Sequence, residues 1–569
     1  MKHIGKMMLV GLIVTATSCS DFDDYNSQYT DPNPGGNLTL WENIKGNSNL
    51  SDFAQVVQKS GFAENLNTSR FYTVWAPLNG TFDVASLLEQ DNAKLQKEFV
   101  KNHIADRNYT TSAGMDEKVV VLNRKAYSFT GKTFGNVGLA ESNLPSKNGV
   151  IYTMNGKVPF LYNVNEFLDE VKGCDNFVKH VKNYEMSYLD EHASIKGPII
   201  EGVQTWIDSV MVRYNSLFDN LNARVEEEDS SYTILVPTDT AWNKAYKKIA
   251  SAYNYLSSFN YQDLMSTAVG NNTASSSAMT PALGATKVSI DADYYRDSLV
   301  KKNITDYVIY SNNESYNSFM KPEVGTTIGD TLFTTKRRKL TNVKNILGAM
   351  AGERQKLSNG WACKLDSLMF LPWETYNPTI TSTNIGRMLA VKDGRTSTVH
   401  IMRSMLDPAM CQLDEPEEEE LTFIKAEPST LSGKPELDFY LNNLRSTTYN
   451  IYVVMVPACV EDTAAVRLPY ALRFDLSYTK EDGNLQKQTW GSTSAPILTD
   501  ANKVDTVSLG QFTFPICYYG VNAAPNLKIS HTVSSFTSSN RKKYEQILRV
   551  AKIILKPVEQ EEYEALKEE

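Results

Sequence analysis

The chain has 569 residues, of which 41% are hydrophobic and 22% charged, an ordinary balance for folded material with sizeable cores. A formal net charge of −9 argues against a nucleic-acid partner, because phosphate binding needs concentrated Lys and Arg. Six cysteines without any Cys-x-x-Cys pair exclude a zinc ribbon. With Cys19 set aside, an odd number remains, so no disulfide framework uses them all; one or two bridges stay open in an exported chain.

At the start, Lys2, His3 and Lys6 precede an apolar run from Met7 to Val14, then Thr15-Ala16-Thr17-Ser18-Cys19. The run is far short of the roughly 20 apolar residues of a spanning helix and has the form of a secretory signal. The cysteine directly behind small residues resembles a bacterial lipobox. That resemblance implies removal of residues 1–18 and acylation of Cys19, with several acyl chains giving firm attachment to the outer membrane. The alternative is a secreted protein in which Cys19 has no special role. Ser20-Asp21-Phe22-Asp23-Asp24 resembles the signal that sends lipoproteins to the outer face of the outer membrane in some Gram-negative gut bacteria, although a solvated acidic tether would look the same. Asn26 to Gly36 has linker composition, so residues 19–37 read as an acidic flexible tether.

The first folded unit, residues 38–162, opens with an apolar pattern at helical spacing, Phe53, Val56 and Val57, with Ser51 as cap and Gly61 as stop. Its centre is Phe71 to Phe82, Phe-Tyr-Thr-Val-Trp-Ala-Pro-Leu-Asn-Gly-Thr-Phe. Aromatic and β-branched residues predict a buried strand, Pro77 stops it, and Asn79 is placed to cap a following helix. Phe99 to Ile104 contains Asn102-His103-Ile104, Val119 to Leu122 reads as a strand, and Asn148-Gly149 introduces a closing run, Val150 to Asn155. The grammar returns in residues 163–372. Tyr232 to Trp242 repeats the centre with Pro237 and Asp239, Leu299 to Ile304 repeats the second stretch, and Asn359 to Asp366 repeats the closing strand. Polar Gly270 to Ser277 and a helical segment, Ile199 to Ala223, read as insertions that lengthen the second copy.

Strand, proline stop and polar cap resemble the central signature of fasciclin domains, and the other two stretches resemble that family's second and closing signatures. Tyr152, Asn303 and Cys363 stand where the family has histidine, and with Asn303 and Cys363 any role of those histidines is in doubt for the second unit. The resemblance implies two tandem fasciclin-like β-sandwich/helix domains, extracellular adhesion modules without catalytic machinery.

From Trp373-Glu-Thr-Tyr-Asn-Pro378, read as a linker, short strand-like runs follow: Thr398–Met402, Leu421–Ile424, Tyr449–Val456, Ala471–Leu476, Phe512–Cys517 and Leu548–Leu555. Residues 373–557 therefore read as an all-β sandwich domain, and 558–569 as an acidic tail, making the chain α+β overall.

No motif carries chemistry. Histidines 3, 103, 180, 192, 400 and 531 show no metal spacing, so no metal or cofactor is expected. His103 reads as a hydrogen-bonded structural residue in preference to a ligand contact. The acidic run Asp414–Glu420 lacks the spacing and glycine of a calcium loop and reads as solvated. Trp490, in the polar stretch Lys487–Ser492, reads as a loop residue able to stack on a sugar or grip a partner; an anchor on the sandwich is the alternative.

Taken together, these features imply a non-catalytic, surface-anchored binding lipoprotein. By analogy of architecture it would be an accessory subunit of a nutrient-capture complex, beside an outer-membrane transporter and its lid lipoprotein of the starch-utilisation type, binding glycan or a surface protein. Two rivals are a glycan hydrolase with its active site in the C-terminal domain and a purely structural subunit of an outer-membrane complex.

Overall fold

The computed structural model describes residues 36–112, 115–191, 194–262, 286–313, 331–382, 396–405 and 420–568. The signal segment, Cys19, the Ser20–Asp24 stretch, most of the tether, His192, Gly270–Ser277, Cys411 and Asp414–Glu419 lie outside the described residues. Two compact units result, Met1–Asn163 and Val164–Glu569.

In the first unit, Thr39 and Glu42 form a reciprocal capping box at the start of the helix Leu40–Gly46. The helix Ser51–Lys59 follows and buries Phe53, Val56 and Val57, as its spacing predicts. Strand β1 (Tyr72–Pro77) is buried along its whole length. Val74 and Ala76 face a core containing Phe53, Phe99 and Ile104. Trp75, on the opposite face, packs with Phe129, Phe134 and Tyr152. With both faces covered, the run shows no polar alternation. Short helices Val84–Leu88 and Asn92–Leu95 lead to β2 (Ile104–Ala105), β3 (Glu117–Val120), β4 (Ala126–Phe129), β5 (Thr133–Phe134), β6 (Val137–Ser146) and β7 (Gly149–Met154). The seven strands form one sheet in the order β2-β1-β7-β6-β5-β4-β3. β7 runs parallel to β1, from Tyr72 opposite Gly149 to Pro77 opposite Met154. The strand expected over Val119–Leu122 lies slightly earlier, because Leu122 turns its N–H to Ile104.

The second unit opens with helices Val164–Glu170 and Asp175–Lys182. The stretch predicted to be helical, Ile199 to Ala223, is mostly strand: β8 (Glu185–Leu189) pairs β11 (Met211–Asn215), and β9 (Ile195–Ile200) pairs β10 (Val203–Asp208). Glu201 and Gly202, both at positive φ, make the turn between β9 and β10. Only Ser216–Asn220 is helical there. Next come β12 (Tyr232–Pro237), the helix Asp239–Ser251, β13 (Ser258–Tyr261), β14 (Thr286–Ser289), the helix Ala292–Thr305, β15 (Ile309–Ser311), β16 (Leu332–Phe333), β17 (Lys339–Leu340), the helix Val343–Gly348, β18 (Gln355–Leu357) and β19 (Gly360–Leu365). β15, β12, β19 and β18 form a sheet in that order. β19 is parallel to β12, with Tyr232 opposite Gly360 and Pro237 opposite Leu365, the same register as β1 and β7.

The remaining strands are β20 (Ile380–Ser382), β21 (Thr396–Met405), β22 (Glu420–Pro428), β23 (Glu436–Tyr440), β24 (Thr448–Met455), β25 (Ala471–Thr479), β26 (Leu485–Trp490), β27 (Ile497–Leu498), β28 (Asp505–Thr513), β29 (Asn526–His531) and β30 (Leu548–Pro557). One sheet runs β21-β22-β30-β24-β28, with β20 also on β30; the other runs β23-β29-β25-β26, with β27 on β25. A single core takes Ile451 and Ile553 from the first sheet and Phe474 and Ile529 from the second. The helix Val558–Glu568 closes the chain.

Residues 373–378 are packed into the fold and do not form a linker. Trp373 lies in the turn Pro372–Glu374, and Tyr376 and Asn377 are buried. Asn377 Oδ1 accepts the Tyr449 hydroxyl at 2.7 Å. Arg445, only 6% exposed, donates from Nε to the Tyr376 carbonyl at 2.8 Å, and its guanidinium carbon lies 4.2 Å from the centre of the Tyr519 ring. Asn254 reaches the Pro515 carbonyl at 2.9 Å and accepts Cys517 N–H at 2.8 Å. Phe259 of β13 sits inside the core shared by the two sheets. Polar-looking residues in 373–378 thus have partners far along the chain, which local composition does not reveal.

Candidate functional surfaces

The repeated residues turn out to be architectural. Asn148 Oδ1 accepts Leu40 N–H at 2.8 Å, and its Nδ2 donates to the carbonyls of Leu66 at 2.9 Å and Thr68 at 2.7 Å. Asn359 does the same in the second unit, taking Val164 N–H at 2.9 Å and giving to Val225 at 2.8 Å and Glu227 at 3.0 Å. Each buried amide staples the start of its unit to the segment before the central strand. The glycine that follows permits the closest approach of the paired strands. A Cβ on Gly149 would stand 1.9 Å from the Tyr72 carbonyl oxygen, and one on Gly360 would stand 1.8 Å from that of Tyr232.

Asn79 and Asp239 cap, but not the helices that follow them. Asn79 Oδ1 accepts Asp52 N–H at 2.9 Å, at the start of the helix Ser51–Lys59. Asp239 Oδ1 accepts Asn176 N–H at 2.8 Å, at the start of Asp175–Lys182. The helix after β12 is capped by Thr238. Each is a tertiary cap on the earlier helix, which explains why Leu50 and Cys174 provide no side-chain cap of their own.

His103 is fully buried. Val158 N–H donates to its Nε2 at 3.0 Å, so the ring proton is on Nδ1, which donates to the Phe99 carbonyl at 2.7 Å. Burial pushes its pKa down to about 4, against the pull of that carbonyl. Asn303 keeps the same donor to the carbonyl four residues earlier, from Nδ2 to Leu299 at 2.8 Å. Asparagine at this place in the second unit therefore keeps the helix contact that His103 makes in the first. Where Tyr152 lies beside Trp75, Cys363 lies beside Leu235 in the same register, and burial raises its thiol to about 11. Cys174, Cys363, Cys459 and Cys517 are buried free thiols, so no disulfide forms among the described residues.

Trp490 is the last residue of β26 and not a loop residue. It is half-buried against the shared core, with its ring centre 6.2 Å from that of Phe512. Pairing of β26 with β25 places Trp490 opposite Phe474, so the ring is anchored on the sheet.

Two surfaces escaped the sequence reading. The first is a cleft of about 350 Å³ lined by Lys425, Glu461, Asp462, Val466, Glu545 and Arg549. Arg549, 5% exposed, bonds Glu461 and lies 3.4 Å from Glu545, while Lys425 reaches Glu461 at 3.0 Å. Burial opposes ionisation of Glu461, but Arg549 and Lys425 outweigh it and hold its carboxyl below the usual range. An acid held ionised is a poor proton donor, so Glu461 is unsuited to protonating a glycosidic oxygen. The second surface is the ribbon β8–β11, whose Met186, Tyr188 and Met211 are 52%, 54% and 54% exposed; Ile199, Ile200 and Val203 are exposed at the β9–β10 turn. The alternation Met186-Ser-Tyr188-Leu and the Glu201-Gly202 turn were the available signals. Among the described residues, no group of three or more His, Cys, Asp or Glu could hold a metal ion, and no helix is long and apolar enough to cross a membrane.

A pig (Sus scrofa) protein, transforming growth factor-beta-induced protein ig-h3, is 28% identical over 126 residues, covering 21% of this chain and 18% of that protein. Among solved structures, the fasciclin (FAS1) domain pair of the insect cell adhesion molecule fasciclin I covers 58% of this chain and 99% of its own, at 13% identity and a TM-score of 0.20. A non-crystalline-cellulose-specific carbohydrate-binding module covers 27% of this chain and 84% of its own, at 10% identity and a TM-score of 0.14. The family model of the fasciclin domain matches residues 48–157, and the chain thus contains a fasciclin domain in its first unit.

Proposed function

We propose that this chain is a non-catalytic binding and adhesion lipoprotein, held on the outer face of an outer membrane through Cys19. In this reading residues 163–372 are a second fasciclin-like domain and residues 373–557 a β-sandwich joined to it. The observation that carries the proposal is the repeated core. Parallel central and closing strands keep one register in both units, and a buried asparagine makes the same three bonds in each. The match of residues 48–157 to a fasciclin domain supports adhesion as the general role. The basic, apolar and small residues before Cys19 support the anchor.

Within that role, an accessory place in a nutrient-uptake complex is the specific reading, with glycan or a surface protein as ligand. The test is capture of the C-terminally tagged protein from detergent-solubilised outer membrane. Recovery of a transporter and its lid lipoprotein supports the uptake complex; recovery of the chain alone removes it and leaves adhesion to neighbouring surfaces. Loss of acyl labelling and of membrane association in Cys19→Ala checks the anchor. Release of product from candidate polymers by the purified protein would instead establish a hydrolase.

A further inference from the structure

From the ribbon β8–β11 we infer that two copies of this chain associate by pairing their β8 strands edge to edge about a two-fold axis at Ser187. Among the described residues, β8 borders β11 on one side and no strand on the other. The hydrogen-bond phase of the ribbon is fixed by its ends. Ser216 N–H donates to the Tyr184 carbonyl at 3.0 Å and Asp190 N–H to that of Val210 at 2.8 Å. The bonded pairs are therefore the even-numbered residues of β8, including Met186 with Tyr214 and Tyr188 with Val212. Glu185, Ser187 and Leu189 turn their backbone groups outward, away from β11.

An open edge alone does not choose its occupant, but the charges along it do. A two-fold axis at Ser187 sets neutral Ser187 against its copy and places Glu185 opposite Leu189. The outward groups of all three residues then meet their counterparts in the bonded phase of an antiparallel ladder. Met186 falls opposite Tyr188 of the second copy, a thioether against an aromatic ring. The exposed apolar side chains Met186 and Tyr188, with Tyr214 and Val212 behind them, then line one face of a four-stranded sheet. The other edge fails this test, because its centre is Arg213 and a two-fold axis there would set two guanidinium groups face to face. That side is also engaged locally, since Arg213 lies 3.1 Å from Asp169 and bonds Glu185. Between Glu185 and Asp190 the edge carries no charge and exposes Met186 and Tyr188, the kind of border that folded proteins usually blunt when they stay single.

Sedimentation velocity of the whole mature chain over a wide concentration range is the first measurement, with a concentration-dependent dimer expected. Ser187→Lys places like charges at the axis on an exposed position and should weaken association about tenfold or more. Ser187→Cys should form a disulfide-linked dimer under mild oxidation, since bonded antiparallel pairs have Cα atoms about 5.5 Å apart, within bridging range. Met186→Cys should not, because its own copy lies two residues away and beyond about 7 Å. A monomer at every concentration overturns the inference, including one that captures a strand from another protein instead. So does a dimer indifferent to Ser187→Lys, or equal cross-linking by the two cysteine variants.

Discussion

Replacing Asn148 by alanine removes a side chain that serves three buried backbone groups at once, Leu40 N–H and the carbonyls of Leu66 and Thr68. Each group left without a partner costs about 1–3 kcal/mol, and Asn148 is only 2% exposed, so water reaches the gap poorly. Partial collapse of the site offsets some of this, leaving an expected loss of about 3–5 kcal/mol from the first unit. With a urea dependence of about 1–3 kcal/mol per molar, that unit's midpoint should fall by about 1 M or more. Asn359→Ala carries the same chemistry in the second unit and should move only the other transition. Hydrogen exchange read segment by segment along a urea series separates the two. Asn148→Asp is a sharper probe still. It keeps an acceptor for Leu40 but turns a carboxylate oxygen toward two carbonyls, and it should be at least as damaging as alanine. A loss well under 1 kcal/mol in Asn148→Ala, or a shift of the same transition by both alanine variants, would refute the account of these residues as staples.

Acid should weaken the first unit through His103. Its folded pKa is lowered from about 6.5 to about 4, so the unfolded chain takes up the proton first. Stability is then lost as pH falls from about 6.5 to about 4, by about 3 kcal/mol in all; His103→Asn should flatten that slope, at about 1–2 kcal/mol at neutral pH for the unpaired Val158 N–H. Gly360→Ala should cost more than about 4 kcal/mol or yield insoluble protein, because the added carbon meets the Tyr232 carbonyl oxygen at a φ of +141; solubility and melting temperature report it. Arg445→Ala should lower the stability of the second unit by about 2–4 kcal/mol and open the chain near residues 373–378 to limited proteolysis, and lysine should not rescue it because it lacks the planar fork over Tyr519.

How much of this was legible depended on how local the cause was. The central and closing strands of both units were readable because their apolar runs, prolines and Asn-Gly turns are encoded within a few residues. Their parallel pairing was not, since it joins residues far apart in the chain. Asn79 and Asp239 were recognisable as caps, yet the helices they cap lie 27 and 63 residues upstream. Ile199 to Ala223 reads as helix by content, but Glu201 and Gly202 at positive φ turn the chain there, and β10 and β11 follow. Trp490 reads as a loop residue because Gln486 to Thr489 are polar and exposed, as on the border strand of a sheet. Arg445, Glu461 and Arg549 gave no signal at all, because their meaning lies entirely in partners supplied by other elements.

The position of β30 has a consequence for synthesis. It is the last strand among the described residues, yet it lies between β22 and β24 in its sheet and also carries β20. A ribosome must therefore pass Leu548 before the sheet has its middle. A product halted earlier would hold β22 and β24 as two uncovered borders facing an empty place, with Phe259 and its neighbours waiting beneath. Such a fragment would be a target for proteolysis or aggregation instead of a slightly shortened protein. Folding of the C-terminal half thus acts as a proofreading step, letting only chains translated through Pro557 reach the finished state.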